Sequence, residues 1–425
     1  MSGFRESLCA SAASLRANAG LRRLMTAAAI AEVSAPVYYT ASAVWAFREG
    51  GAMLAATLGV VAMVPAAVVA PFAAVVTDRA RKERVIVVSL AARAAFLLLL
   101  AAGVAFDSTW LVLAAAALAS MCARVLYPAL AALLPSLARS RQELVSANAL
   151  VSGIENVGCV VGPALAGVAL IVVSPAAVCA AAALGTLAAA AAAIRIRTIP
   201  TPTADPESQA LPSASSPLRE ISAGFTSIAS DPRTRSMVAT HTVQAFAIGA
   251  LGIAVVQLAI DDLELGAPGL GMLESALAVG GVAGGIVALG RAANHSAARS
   301  IRLGAVLFAV PLCVAAALLN PAAALAGLAI AGVGNVLLDV AVYTHVQETT
   351  AEAVLARTVA ALQSIAVAAV GLGSLAAGVA LSLLGTAPTL AVLALSVPAA
   401  ALTLIQPETT LATPPPTPTA LATDP

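Results

Sequence analysis

Apolar residues run through this chain in blocks of roughly twenty, parted by short polar breaks, and nowhere do they alternate with the period of two that marks a half-buried strand. A helix of about 20 residues crosses the ~30 Å hydrocarbon layer of a membrane at 1.5 Å per residue. The blocks predict membrane helices near 21–46, 51–76, 85–106, 109–134, 147–173, 175–194, 237–260, 269–290, 301–319, 321–346, 358–383 and 386–405. The predicted fold class is therefore an all-α polytopic membrane protein with twelve transmembrane helices.

The pattern also divides the chain. Residues 1–20 form a basic leader, 21–197 a first six-helix half, 198–235 a linker, 236–405 a second six-helix half and 406–425 a polar tail. The stretch 198–231 is rich in Pro, Ser, Thr and Ala with little apolar periodicity, and the tail TPPPTPTALATDP has the same character, so both read as irregular and the tail as disordered. An offset of 211 residues lays GPALAGVAL (162–170) on GSLAAGVAL (373–381). Two pseudo-symmetric halves point to a carrier with its site between them, near the middle of the membrane.

Composition agrees with this class and charge orients it. The chain is 60% hydrophobic and 10% charged, with mean hydropathy +0.97, far from the balance of a soluble protein. Apart from Arg48, Arg93 and Arg124, every Lys and Arg falls in the leader, in alternate loops or in the first turn of the helix that follows them. By the positive-inside rule those loops and both termini are cytoplasmic. Lys82 is the only lysine beside many arginines, and alanine is abundant, as in a protein from a GC-rich bacterium. The expected location is the bacterial cytoplasmic membrane. The five cysteines lack metal-ligand spacing and read as reduced packing residues.

Four stretches carry a resemblance: FAAVVTDRARKERV (72–85), YPALAALLPSLARSRQELVSANAL (127–150), GCVVGPALAG (158–167) and GVGNVLLDVAVYTHVQE (332–348). Together they are similar to the major facilitator superfamily, and most similar to its twelve-helix bacterial drug and metabolite exporters, the group that includes the enterobactin exporter. The resemblance implies that Asp78, Arg79, Arg81 and Lys82 form a gating loop that locks cytoplasmic helix ends together in the outward-facing state. Ala73 and Ala74 stand where that loop pattern has a glycine. It also implies that Gly158, Gly162, Pro163 and Gly167 form the antiporter motif of the fifth helix, which shapes the interface between halves. Ala166 replaces a glycine common in exporters. Independently, Ser152, Glu155, Gly158 and Gly162 fall close to one helical face, where small residues admit a second backbone and a proline permits a bend.

Embedded charges supply the chemistry. Glu32, Arg93, Arg124, Glu155, Glu274 and Asp339 lie inside apolar blocks. All but Glu274 sit roughly 7–11 residues from the inner helix end, a shared layer about 10–16 Å deep. Ionisable groups in lipid are costly unless they pair or work. Glu155 and Asp339 are the candidates for a proton-responsive layer, with Arg124 as counter-charge, Glu32 in reserve and Asn335 as a polar cavity residue. Arg93 reads as one side of a static pair, and Glu274 as reaching the outer interface.

Nothing resembles an enzyme: no phosphate-binding loop, zinc spacing or nucleophile–base arrangement is present. No cofactor, metal or nucleic acid is expected. The expected partners are a small-molecule substrate, protons and lipid, for a protein acting as a monomer. Three functions stay open: proton-coupled export of a drug or secondary metabolite, nutrient uptake or facilitated diffusion by the same fold, and a transport-inactive sensor or partner-binding protein.

Overall fold

The computed structural model describes residues 18–196, 217–292 and 296–405. The side chains at 70–79, 217–221 and a few further helical positions lie outside the described residues. The leader, the tail, most of the linker and the side chains of Asp78 and Arg79 are thus not described. Among the described residues no strand occurs, and eleven helical stretches are long and apolar enough to cross a membrane. The first apolar stretch, Ala19–Val69, has 51 residues, far more than one crossing needs. It belongs to the helical run Ala19–Arg79, which breaks at Gly50 and Gly51; Gly51 takes φ 61°, ψ −159°, open only to a residue without Cβ. Its arms are α1 (19–49) and α2 (52–79), which brings the crossings to the predicted twelve.

Ten further membrane helices follow the apolar blocks within a few residues. They are α3 (Lys82–Ala105), α4 (Thr109–Leu137), α5 (Arg141–Val172), α6 (Pro175–Ile194), α8 (Pro232–Gln257), α9 (Gly266–Ala292), α10 (Ala297–Leu318), α11 (Pro321–Thr349), α12 (Glu352–Leu384) and α13 (Thr386–Leu404). A π-helical turn, Leu258–Asp262, extends α8. Local sequence explains the boundaries. Ser174, Asp231, Ser296 and Asn320 each accept a hydrogen bond from a backbone N–H of the turn they start. Between α4 and α5, Ser140 accepts from the Glu143 N–H while Glu143 accepts from the Arg139 N–H, and Asn18 donates to both the Leu137 carbonyl and Glu143. That network ties the start of α1 to the α4–α5 loop.

The linker differs from expectation. Pro217–Ser230 forms a helix, α7. Its apolar residues Leu218, Ile221, Phe225 and Ile228 recur at spacings of three and four, a helical stripe that an eye set on Pro and Ser content passes over. Ile228 is buried, and a Cβ at Gly224 would collide with the Arg357 carbonyl oxygen, so α7 docks against the start of α12.

The repeat in the sequence becomes an interlock in space. Within the first half α3 packs on α4 and α6; within the second, α10 packs on α11 and α13. Gly162 of α5 abuts Pro36 of α1 in its own half, and its repeat partner Gly373 of α12 abuts Phe246 of α8 in its own half. One turn or so further on, the glycines face across. A Cβ at Gly167 would lie 2.9 Å from the Ala267 carbonyl oxygen of α9, and one at Gly378 would lie 2.6 Å from Ala56 of α2. Each half thus uses the same helix to seat itself and to grip the other, by the close backbone approach that small residues allow. These grips lie in the far half of the bundle, the end holding Gly50–Gly51, Asp107, Leu265 and Gly385. The near end holds Asn18, Ile405 and the Arg81 and Arg139 loops.

Candidate functional site

Between the halves lies a cavity of about 810 Å³, lined by α1, α2, α4, α5, α11 and α12. It runs from Cys159 toward Leu134 and Asn148 at the near end. Glu32 of α1, Arg124 of α4 and Glu155 of α5 line it together, with Tyr343 and Gln363 from the other half. Tyr127 donates its hydroxyl proton to Glu32 Oε2 at 3.2 Å, so α1 and α4 are joined by a hydrogen bond to a carboxylate. Glu155 stands near enough to Glu32 for the two charges to interact. Two carboxylates and one guanidinium in otherwise mostly apolar walls favour a ligand that brings its own polar groups.

A second chamber, about 560 Å³, continues toward the far end, and Cys159 lines both. Its walls come from α1, α2, α5, α8, α9, α11 and α12 and are largely apolar. Glu274 of α9 projects into it and accepts a hydrogen bond from Thr40 of α1 at 2.6 Å. One residue on, Ser275 donates to the Val160 carbonyl oxygen of α5 at 2.8 Å. Both bonds cross between the halves.

Other embedded groups find partners within one half. Asp339 Oδ1 lies 3.0 Å from His241 Nε2, and the His241 ring meets Tyr343 edge-on with centroids 5.8 Å apart. Gln244 donates to the side-chain oxygen of Asn335 at 2.6 Å and to its carbonyl at 3.1 Å. Asn335, Asp339 and Tyr343 follow one another at four-residue intervals on α11, so Asp339 shares the face that lines the cavities. Arg93, expected in a static ion pair, is buried with its guanidinium 5.7 Å from the centre of the Tyr38 ring. Its closest described contact is a π face rather than an ion pair, and its charge also acts on the Glu32 carboxylate.

Among the described residues no cluster of His, Cys, Asp or Glu could hold a metal ion.

The Major Facilitator Superfamily model matches residues 24–240, half of the chain. The chain belongs to the major facilitator superfamily. Solved structures share its fold at low identity. The nucleoside transporter NupG superposes with a TM-score of 0.74 at 10% identity, covering 91% of this chain and 98% of its own. A bacterial homolog of the human lysosomal transporter Spinster, in an inward-facing and unoccupied conformation, gives 0.64 at 16% identity over 90% of this chain and 94% of its own. A POT family transporter in complex with 5-aminolevulinic acid gives 0.68 at 12% identity with the same coverage. No curated protein sequence matches the chain.

In this facilitator, the sequence-derived candidates separate into groups. Glu32, Arg124 and Glu155 share the near chamber, Asn335 lines the far one, and Asp339 is held by His241. Arg124 makes no ion pair with Glu155 or Asp339 among the described residues, so the proposed counter-charge pairing is absent from this conformation. Gly158 and Gly162 press on the backbone of Glu32 and on Pro36, whereas Gly167 and the Pro163 carbonyl face Ala267 and Gly271 of α9. The motif therefore divides between an intra-half and a cross-half surface. Of the loop candidates, Arg81 precedes α3 as its N-terminal flanking residue and Lys82 begins it, without a side-chain cap. Glu274 corrects the sequence reading: it turns inward to Thr40 instead of reaching the outer interface. Its depth was countable, but the direction in which it points around the α9 axis was not. Tyr127 and His241 are further residues whose partners the sequence did not reveal.

Proposed function

We propose that the chain is a secondary active transporter that exports a small organic molecule, a drug or secondary metabolite, from a bacterial cytoplasm in exchange for protons. It works by alternating access, with both termini cytoplasmic. The observation that carries this reading is the near chamber, walled by both halves, with Glu32 and Glu155 facing a shared space beside Arg124. The chamber runs to the end that bears the basic loops, and the far end is gripped at Gly167–Ala267 and Gly378–Ala56. Substrate would enter from the cytoplasm in this conformation. Carboxylates that move between wet and closed surroundings change their proton affinity, which lets a proton gradient bias the cycle. The antiporter-like α5 and the exporter-group motifs support the outward direction. Uptake is the second reading, because the same fold serves a nucleoside transporter and a POT family transporter.

Proteoliposomes loaded with a pH-sensitive dye and given a proton gradient test this with ethidium and enterobactin as probes. Export predicts proton movement opposite to probe movement. Glu155→Gln and Asp339→Asn should each abolish the gradient-driven component, and at least one should retain probe exchange, because a fixed neutral side chain mimics only the protonated state. Probe and proton moving the same way would favour uptake. Both variants pumping at near wild-type rates would move the proton site elsewhere, with Glu32→Gln as the next variant.

A further inference from the structure

The far chamber has a chemistry distinct from that of the near one. Among the residues that line it, Glu274 is the one with a formal charge; no Lys, Arg or His takes part. One oxygen of Glu274 is fixed by the Thr40 hydroxyl at 2.6 Å. The other accepts no hydrogen bond among the described residues, and it is not one of the buried unpartnered atoms, so it faces open space. The chamber walls include Leu251, Val255, Leu273, Leu277 and Tyr39, with Asn156, Asn335 and Ser374 among the polar side chains. A carboxylate held among apolar walls is unstable as a bare charge and gains from an opposite one. About 560 Å³ is room for an organic molecule, within the usual 300–1,000 Å³ of ligand pockets. Cys159, which lines both chambers, marks the way in from the near end.

We infer that the far chamber is a binding site for an organic monocation with an apolar body, whose charge is met by Glu274 and whose body is packed by the surrounding aliphatic walls. The inference rests on the transporter reading above and names the substrate class that this part of the pathway takes. The near chamber differs in that a guanidinium, Arg124, lines it together with its carboxylates. A cation reaching Glu274 would also compete with Thr40 for the carboxylate, at a bond that ties the two halves together.

The test is equilibrium binding to the purified full-length protein, without any gradient. Tetraphenylphosphonium is the probe, and tetraphenylborate, of similar shape and opposite charge, is its control. Tetraphenylphosphonium should bind and slow alkylation of Cys159 by N-ethylmaleimide, in a variant whose other cysteines are replaced by alanine; tetraphenylborate should do neither. Glu274→Gln should weaken binding of the cation by at least about tenfold, and Glu274→Asp, which keeps the charge, should weaken it less. Should Glu274→Gln fail to fold, judged by size-exclusion profile and thermal unfolding, the Asp variant and Glu155→Gln decide: binding unchanged in Glu274→Asp but lost in Glu155→Gln overturns the inference, and weakening in Glu274→Asp alone supports it. Equal binding of both probes, no binding of the cation, or unchanged binding in Glu274→Gln overturns the inference. So does loss of binding in Glu155→Gln with Glu274→Gln unaffected, which would put the cation in the near chamber. Cation binding at Glu274 in a protein that moves no protons would sink proton-coupled export and leave this site standing. Proton-coupled export with no charge preference at Glu274 would do the reverse.

Discussion

Gly271 of α9 is where a single methyl group should unsettle the far-end closure. A Cβ there would run into the Pro163 carbonyl oxygen of α5, and its next neighbour would be Gly167. Backbone cannot swing aside as a long side chain does, so Gly271→Ala strains the contact between the halves or parts it. Overpacking of this kind costs about 1–3 kcal/mol. The cost falls on the conformation in which α5 and α9 touch, so a value of ~2 kcal/mol would change the ratio of far-closed to far-open molecules by a factor of about 30. Gly285 of the same helix has open space where its Cβ would be, so Gly285→Ala makes the same change in helix propensity without the collision. With Cys159 as the sole cysteine, a membrane-impermeant maleimide applied from the far side should label Gly271→Ala up to roughly thirtyfold faster than the parent, and Gly285→Ala at the parental rate. If Gly271→Ala is labelled from the far side no faster than its parent, while unfolding at the parental temperature, the α5–α9 contact is not part of the closure.

Three further predictions concern other parts of the molecule. Single cysteines at Ala204 and at Asp262, which is exposed at the far end, in a cysteine-free background should be labelled from opposite faces of the membrane; labelling of both from outside would rule out the twelve-crossing topology. Tyr127→Phe removes the hydrogen bond to Glu32, of a kind worth about 1.5–3 kcal/mol when one partner is charged; probe turnover in proteoliposomes should fall at least several-fold, and unchanged turnover would show that Tyr127 does not position Glu32. At the start of α8, Asp231 is held below the usual carboxylate range by the Thr234 hydroxyl and then by backbone N–H groups. Its contribution is therefore complete above the unfolded-state value and lost as pH falls through the lower folded one. Asp231→Ala should cost about 0.5–2 kcal/mol at pH 7, and thermal unfolding should show that cost shrinking toward pH 3; a cost independent of pH would point away from the charge.

Much of the scaffold was legible because its signals are local and periodic. Block length alone separates twelve crossings, and Gly50–Gly51 is the break that block length requires between the first two. The offset that pairs Gly162 with Gly373 and Gly167 with Gly378 describes packing as well as ancestry, since each pair meets equivalent helices in the two halves. What the sequence withheld is azimuth and partnership. Counting residues gives the depth of Glu274, but its direction depends on how α9 is turned by Gly271 against Pro163 and by Ser275 against Val160. Tyr127 lies 95 residues from Glu32, and no local pattern links residues that far apart. The α7 stripe was readable in principle and was masked by the polar residues around it.

The halves are alike in backbone and unlike in charge, and that difference decides which contacts can report on conformation. A pair made inside one half travels with it when the halves rock as rigid bodies. Glu32 keeps Tyr127, and Asp339 keeps His241, whichever way the molecule opens. Their surroundings change only through water, as the near chamber fills or closes. A pair made across the halves must break. Of the hydrogen bonds described at the two chambers, two cross: Thr40 to Glu274 and Ser275 to Val160. The serine bond is between neutral groups and is easily replaced by water at net cost near 1 kcal/mol. The threonine bond ends on a carboxylate, so its loss leaves a charge that needs a new partner. A carboxylate that must trade partners whenever the far end opens ties ligand binding to conformation, and that is the part the proposed cation site would give Glu274, beside the proton-responsive role proposed for Glu155 and Asp339.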